Sequence, residues 1–298
     1  MSSLSRRRFI AISAAALAAG PALAAPGRRW TGIALGARAS ITLAHPDADS
    51  IVAAARAEID RLEGVFSLYR TGSALSRLNR EGVLDAPPFE LVECLGIAGA
   101  VHAATGGAFD PTVQPLWAAY AEAYSAGIRP TETSLKEARG RVGWSSVMVS
   151  PSRISFERHG MALTLNGIAQ GYVADRVARL LEARGLRDIL IDTGEFRALG
   201  GMSNGADWPV GLARGGMVGL RDRALATSAL LGTTFDSAGT VGHILDPRTG
   251  RPAPASDRSV SVTAPTAALA DALSTGLCLL DERETGDVIG KFRDCQIV

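Results

Sequence analysis

The chain has 298 residues, of which 47% are apolar, 20% charged and 5% aromatic, with 31 basic and 30 acidic side chains. A mean hydropathy of +0.14 and a formal net charge of +1 exclude a disordered chain, which combines low hydrophobicity with high net charge. Near-balanced charge also leaves no broad positive field for nucleic acid, so no such partner is predicted.

Three arginines, Arg6, Arg7 and Arg8, precede an apolar run over 9–19 and the small-residue end Ala22-Leu23-Ala24. At ~1.5 Å per residue that run is too short for a ~30 Å hydrocarbon core, so residues 1–24 read as a cleavable export signal. Ser5 to Ile10 fits the twin-arginine pattern, read by a receptor that exports folded proteins; a general secretory signal is the alternative. The processed chain, 25–298, carries a slight excess of acids, contains no further membrane-length segment and is expected free in the periplasm. Cys94, Cys278 and Cys295 are too few for a disulfide framework. Cys278, inside the apolar stretch 277–280, reads as a small buried hydrophobe, and pairing of Cys278 with Cys295 stays open.

Alternation of apolar and polar residues predicts strands over 32–43, 146–149, 154–156, 189–192, 210–212, 225–228 and 259–262. Helical periodicity predicts helices over 51–66, where 51, 52, 55, 59, 62, 65 and 66 form one apolar stripe, and over 92–105, 170–184 and 266–280. Glycine-rich stretches at 194–205 and 211–219 read as turns. The outcome is an α+β domain with a helical lobe over roughly 51–145.

Chemistry-bearing residues concentrate in a few segments. Leu165 to Asp175 sets Gly167 and Gly171 at the start of an amphipathic helix, where unpaired backbone N–H groups can hold a phosphate or simply form a turn. Neither a Walker loop nor a Gly-x-Gly-x-x-Gly fingerprint is present. Asp271 and Thr275, four apart, share a helix face and suit Mg²⁺, or serve capping and backbone hydrogen bonding. His243 is a candidate general base or a structural histidine. Asp110 lies in a ligand loop or a helix-terminal turn, and Tyr69 stacks on a planar ring or fills the core.

Taken in order, Ala34-Leu35-Gly36, Phe66 to Asn79, Gly106 to Pro111, Asn166 to Asp175, His243 to Gly250 and Ala270 to Thr275 resemble the ApbE family of FAD:protein FMN transferases, over nearly the whole processed chain. The resemblance implies a T-fold-like α+β architecture with FAD in a cleft between a sheet domain and a helical lobe. It implies Mg²⁺-dependent transfer of FMN from FAD to a Thr or Ser hydroxyl of an acceptor flavoprotein, with release of AMP. It makes Asp271 and Thr275 magnesium ligands with the Gly167 carbonyl, Ser274 nearby, and His243 the activator of the acceptor hydroxyl. Leu35, Tyr69, Ala108, Phe109, Asp110, Thr164 and Gln170 fall at flavin- or adenine-binding positions. Three departures stand out: Thr164 replaces a frequent acid, Gln170 a frequent Lys or Glu, and Gly194-Glu195 a frequent Gly-Gly. The export pattern, the 165–172 variant and the stretch 192–197 look like the branch serving periplasmic nitrous-oxide respiration, whose acceptor would be a membrane-bound respiratory flavoprotein. Two other readings remain, a Mg²⁺-dependent FAD pyrophosphatase and an FAD-binding carrier without chemistry.

Overall fold

The computed structural model describes residues 28–298; the predicted export signal lies outside the described residues. The first expected strand, 32–43, is a hairpin of β1 (Arg28–Ala34) and β2 (Ala37–Leu43), with Ala34 paired to Ala37. Its turn, Leu35-Gly36, has φ of 49° and 87°, the left-handed backbone that a two-residue hairpin turn needs to match strand twist. Alternation runs on through such a turn, and Gly36 is its only marker, which is why the pattern reads as one strand.

The chain continues through α1 (Ala48–Phe66), α2 (Ala74–Glu81), β3 (Val83–Asp85), α3 (Phe89–Ala104), α4 (Gln114–Ser125), α5 (Glu132–Arg139), β4 (Val147–Val149) and β5 (Arg153–Phe156). Then come α6 (Ala169–Glu182), β6 (Ile189–Asp192), β7 (Phe196–Leu199), β8 (Trp208–Gly211), β9 (Met217–Leu220), β10 (Ala224–Ala229), β11 (Leu245–Asp246), β12 (Arg251–Pro252) and β13 (Ser259–Ala264). Helices α7 (Ala267–Leu277) and α8 (Glu282–Ile289) and strand β14 (Gln296–Ile297) complete it. The main sheet is antiparallel throughout, in the order β1-β2-β6-β7-β10-β13-β14. Helix α7 lies on β10 and β13 and against α6, which in turn packs on α1 and β7.

Two apolar cores position the site. In the larger one, Ile51, Ala55, Ile59 and Leu62 of α1 and Tyr172, Val173 and Val177 of α6 are buried with Ile41, Ile191 and Val262 of the sheet. A separate cluster joins Leu116, Tyr120 and Ala121 of α4 and Leu135 and Ala138 of α5 to Phe235 and Leu245, which follow β10 in the chain. Phe235 stacks on Tyr120 with centroids 5.5 Å apart. Helices α4 and α5 are thereby tied to the loop that carries His243, rather than to the sheet.

Candidate active site

Helix α7 is held by its neighbour. The carboxylate of Asp175, on α6, accepts the backbone N–H groups of Ala267 and Ala268, both at 2.9 Å, and sits 3.3 Å from Arg197 Nε. These are orphan donors of the first turn of α7, and an anion suits the positive end of its dipole. Burial nevertheless pushes Asp175 up to about 6, against those two hydrogen bonds. Gly171 brings the helices together: a methyl group there would lie 2.2 Å from the Ala267 carbonyl oxygen.

That approach sets the second acid. Gly171 N–H donates to Asp271 Oδ2 at 3.2 Å, in a site where Asp271 is buried. Burial pushes Asp271 up to about 7, the Gly171 N–H offsetting part of the cost. Glu195, also buried, accepts from Thr227 N–H at 3.2 Å and is held well above the usual carboxylate range by burial and by the charge of Asp271. One turn beyond Asp271, the Thr275 hydroxyl would lie 2.9 Å from a methyl group on Gly167, so glycine allows that backbone to meet it. Among the described residues no cationic side chain is bonded to the Asp271 carboxylate, which with the Thr275 hydroxyl and the adjacent backbone forms a hard-oxygen donor set. Among the described residues, no group of three or more His, Cys, Asp or Glu side chains could hold a metal ion. Water, and substrate phosphates when present, would complete the shell of a Mg²⁺ ion here, as is usual for that ion.

A cleft opens at the start of α6, next in the chain to Gly167 and Gly171; Asp271 and Thr275 are not among its lining residues. Its lining comes from Leu35 and Ala37 of the hairpin, Phe66 to Tyr69 at the end of α1 and just beyond, Trp117 of α4, Asn166, Ala169 and Gln170 at the start of α6, and Thr233 and His243. The His243 loop closes on itself through Phe235 N–H to the Val241 carbonyl at 2.8 Å, and Asp236 accepts Thr240 N–H and Val241 N–H. His243 Nδ1 lies 2.9 Å from the Thr233 carbonyl, which only accepts, so Nδ1 carries the proton and Nε2 keeps its lone pair. Burial lowers the His243 pKa, with the Thr233 carbonyl pulling the other way, and the ring is neutral near pH 7. The cleft thus holds a base of fixed tautomer and aromatic side chains suited to a planar ring.

The sequence model of the ApbE family matches residues 35–298. The chain belongs to the ApbE family. It is 28% identical over 251 residues to an FAD:protein FMN transferase of Salmonella typhimurium, covering 78% of this chain and 71% of the relative. It is 30% identical to one of Vibrio cholerae, covering 76% and 73%. The crystal structure of an ApbE protein from Thermotoga maritima superposes with a TM-score of 0.79 at 26% identity, covering 91% of this chain and 94% of that one. The mixed α/β architecture around an antiparallel sheet is the one ApbE structures share.

Of the family positions in the sequence, Leu35, Tyr69, Gln170 and His243 meet at the cleft. The Gln170 side chain lies across Gly194, whose φ of 102° and close approach to that amide both call for glycine. Ala108, Phe109, Asp110 and Thr164 are not among the residues that line the cleft. A methyl group on Gly276 would lie 3.0 Å from Phe109 Cβ, so the Gly106–Asp110 turn buttresses α7 next to Thr275. Asp110 Oδ1 is engaged by Thr112 N–H at 2.8 Å and Thr112 Oγ1 at 2.6 Å, and Thr164 N–H donates to the Pro111 carbonyl. Ser274 is fully buried, and its hydroxyl donates to the Asp271 carbonyl at 3.0 Å. Cys94, Cys278 and Cys295 are free and buried. Sequence reasoning missed Phe66, Trp117, Asn166 and Thr233 as lining residues and Asp175 as an acceptor for the first turn of α7, beside its N-cap Thr266; Asp175 is 92 residues away from its partner Ala267 and carries no local signature.

Proposed function

We propose that the chain is an FAD:protein FMN transferase that moves FMN from FAD to a Thr or Ser hydroxyl of an acceptor flavoprotein and releases AMP. The observation that carries this reading is His243, whose free Nε2 and fixed tautomer stand in the same cleft as Tyr69 and Gln170. The acceptor hydroxyl gives its proton to Nε2 as its oxygen attacks the FMN phosphorus of the pyrophosphate. The new P–O ester forms as the bond to the bridging oxygen breaks, and AMP leaves with that oxygen.

Asp271, Thr275 and the Gly167 backbone would hold Mg²⁺, matching its preference for oxygen donors. When bound there, the ion supplies charge neutralisation at the pyrophosphate. Tyr69 and Trp117 supply flat apolar surface for the isoalloxazine, and Gln170 a neutral hydrogen-bonding group. The acceptor we propose is periplasmic and belongs to a membrane-bound respiratory system, in line with the export signal read from residues 1–24. No helix among the described residues is long and apolar enough to cross a membrane.

The test is intact mass of a candidate acceptor domain after incubation with the processed protein, FAD and Mg²⁺. A covalent FMN adduct on the target residue is the expected result. FAD split to FMN and AMP without an adduct would replace transferase with pyrophosphatase, and FAD bound but unchanged would replace it with a carrier.

A further inference from the structure

Among the described residues, Ser228 is the side chain of β10 that hydrogen-bonds side chains of α7. Ser228 Oγ lies 2.8 Å from Ser274 Oγ and 3.1 Å from Thr275 Oγ1, while Ser274 Oγ donates to the Asp271 carbonyl at 3.0 Å. Each hydroxyl has one proton, and a carbonyl oxygen accepts only. The direction of the whole chain therefore follows from its end. Ser274 spends its proton on the Asp271 carbonyl, so Ser228 donates to Ser274, and Thr275 must donate to Ser228.

We infer that Ser228 is a positioning residue for the cation site: it takes the Thr275 proton and leaves the Thr275 lone pairs free for a divalent ion. The inference rests on the reading that Asp271 and Thr275 hold that ion. It separates two neighbours that the sequence groups together, because Ser274 has committed its proton behind the helix and serves Thr275 through Ser228. Were Ser228 absent, the Thr275 hydroxyl would be free to rotate its proton toward the position a cation needs. Groups that orient a metal ligand in this way typically carry about 10- to 100-fold in metal affinity.

The experiment is Mn²⁺ binding to the FAD-free processed protein, read by the electron paramagnetic resonance signal of the free ion, with thermal unfolding recorded alongside. Ser228→Ala is expected to weaken Mn²⁺ binding about tenfold or more, while Ser228→Thr, which keeps a hydroxyl, restores most of it. In a Thr275→Val background, Ser228→Ala should add no further loss, because the oxygen it orients is gone. If Ser228→Ala fails to fold, Ser274→Ala tests the same chain, since Ser228 then turns its own proton on Thr275 and Mn²⁺ binding weakens. Wild-type uptake that is lost in Asp271→Ala but unchanged in Ser228→Ala or its Ser274→Ala substitute would overturn the inference alone. So would losses that simply add in the double variant. A wild-type protein that takes up no Mn²⁺, or an Asp271→Ala variant that takes it up equally, would overturn the cation reading and this inference with it.

Discussion

The carboxylate of Glu63, near the end of α1, accepts the backbone N–H of Leu35 at the tip of the β1–β2 hairpin, at 2.9 Å. The same side chain pairs with Arg70, which follows the cleft residue Tyr69 and also bonds Asp60 at 2.7 Å. One acid therefore holds two walls of the cleft, and it holds Leu35 in its left-handed conformation. Hydrogen bonds to charged groups are worth about 1.5–3 kcal/mol, so Glu63→Ala should weaken FAD binding about tenfold or more. Glu63→Gln, which still offers an acceptor to Leu35, should fall between. Fluorescence titration with FAD checks this; equal affinity in all three proteins would show that the hairpin tip does not need the anchor.

Asp175 makes the complementary prediction for stability. Its replacement by alanine leaves two N–H groups of α7 without their acceptor and the half-buried Arg197 without its carboxylate partner. Breaking a buried pair of this kind costs about 3 kcal/mol or more, which lowers the thermal midpoint by about 6 °C or more in a chain of this size. Asp175→Asn, with one acceptor oxygen left, should lose less. An unchanged midpoint in Asp175→Ala would show that water replaces the cap without cost.

Both Asp175 and Asp271 are raised in the folded protein by burial, to about 6 and about 7. Between the ordinary carboxylate value near 4 and those values the folded state binds more protons than the unfolded one, so stability falls as pH rises. FAD-free protein kept in chelator should be more stable to urea at pH 5 than at pH 8. Asp271→Asn, which removes one of the raised acids and part of the cause that raises Glu195, should flatten that slope. A slope of the opposite sign would mean that the two acids are better solvated than their burial implies.

Local patterns in the sequence carried part of the fold, and long-range contacts were hidden from it. That Asp271 and Thr275 share one helix was legible because four-residue spacing is local, and the strand over 189–192 was recovered to the residue, Ile-Leu-Ile-Asp alternating between two buried and two half-buried positions. Helices α2 and α5 were missed: each has eight residues, too few for periodicity to show, and each starts on a cap, Ser73 and Thr131, that only marks a helix once one is suspected. Helix α4 was hidden differently, since its aromatic residues Trp117, Tyr120 and Tyr124 gather around Phe235 from a distant loop. Long-range pairings such as Asp175 with Ala267, or Ser228 with Thr275, have no sequence signature at all.

His243 gives a kinetic prediction. General-base catalysis contributes about 10²- to 10⁴-fold, so His243→Ala should lower kcat for transfer by that order while FAD affinity stays close to wild type. Because burial lowers the folded pKa, the base form persists below the usual histidine value of 6.5, and the acid limb of the transfer rate should lie below that pH. Stopped-flow transfer to an acceptor domain across pH 5–9 reads both. An acid limb above 6.5, or a variant with normal turnover, would exclude His243 as the base.

Gly171 ties the structural and chemical arguments together. A methyl group at this position would lie 2.2 Å from the Ala267 carbonyl oxygen and 2.7 Å from the Ala268 nitrogen, so α6 and α7 must separate to admit it. Those atoms are backbone and cannot rotate away. Overpacking of a tight contact costs about 1–3 kcal/mol in stability. Separation also stretches the hydrogen bond from Gly171 N–H to Asp271 Oδ2, already 3.2 Å long, and displaces Asp271 and Thr275 from Gly167. Gly171→Ala should therefore lose Mn²⁺ affinity and transfer activity at temperatures where it remains folded, whereas Gly185→Ala, at a left-handed turn beyond α6 with open space around it, should lose stability only. Equal Mn²⁺ affinity in the Gly171→Ala and Gly185→Ala proteins would show that the cation ligands are positioned independently of the α6–α7 contact.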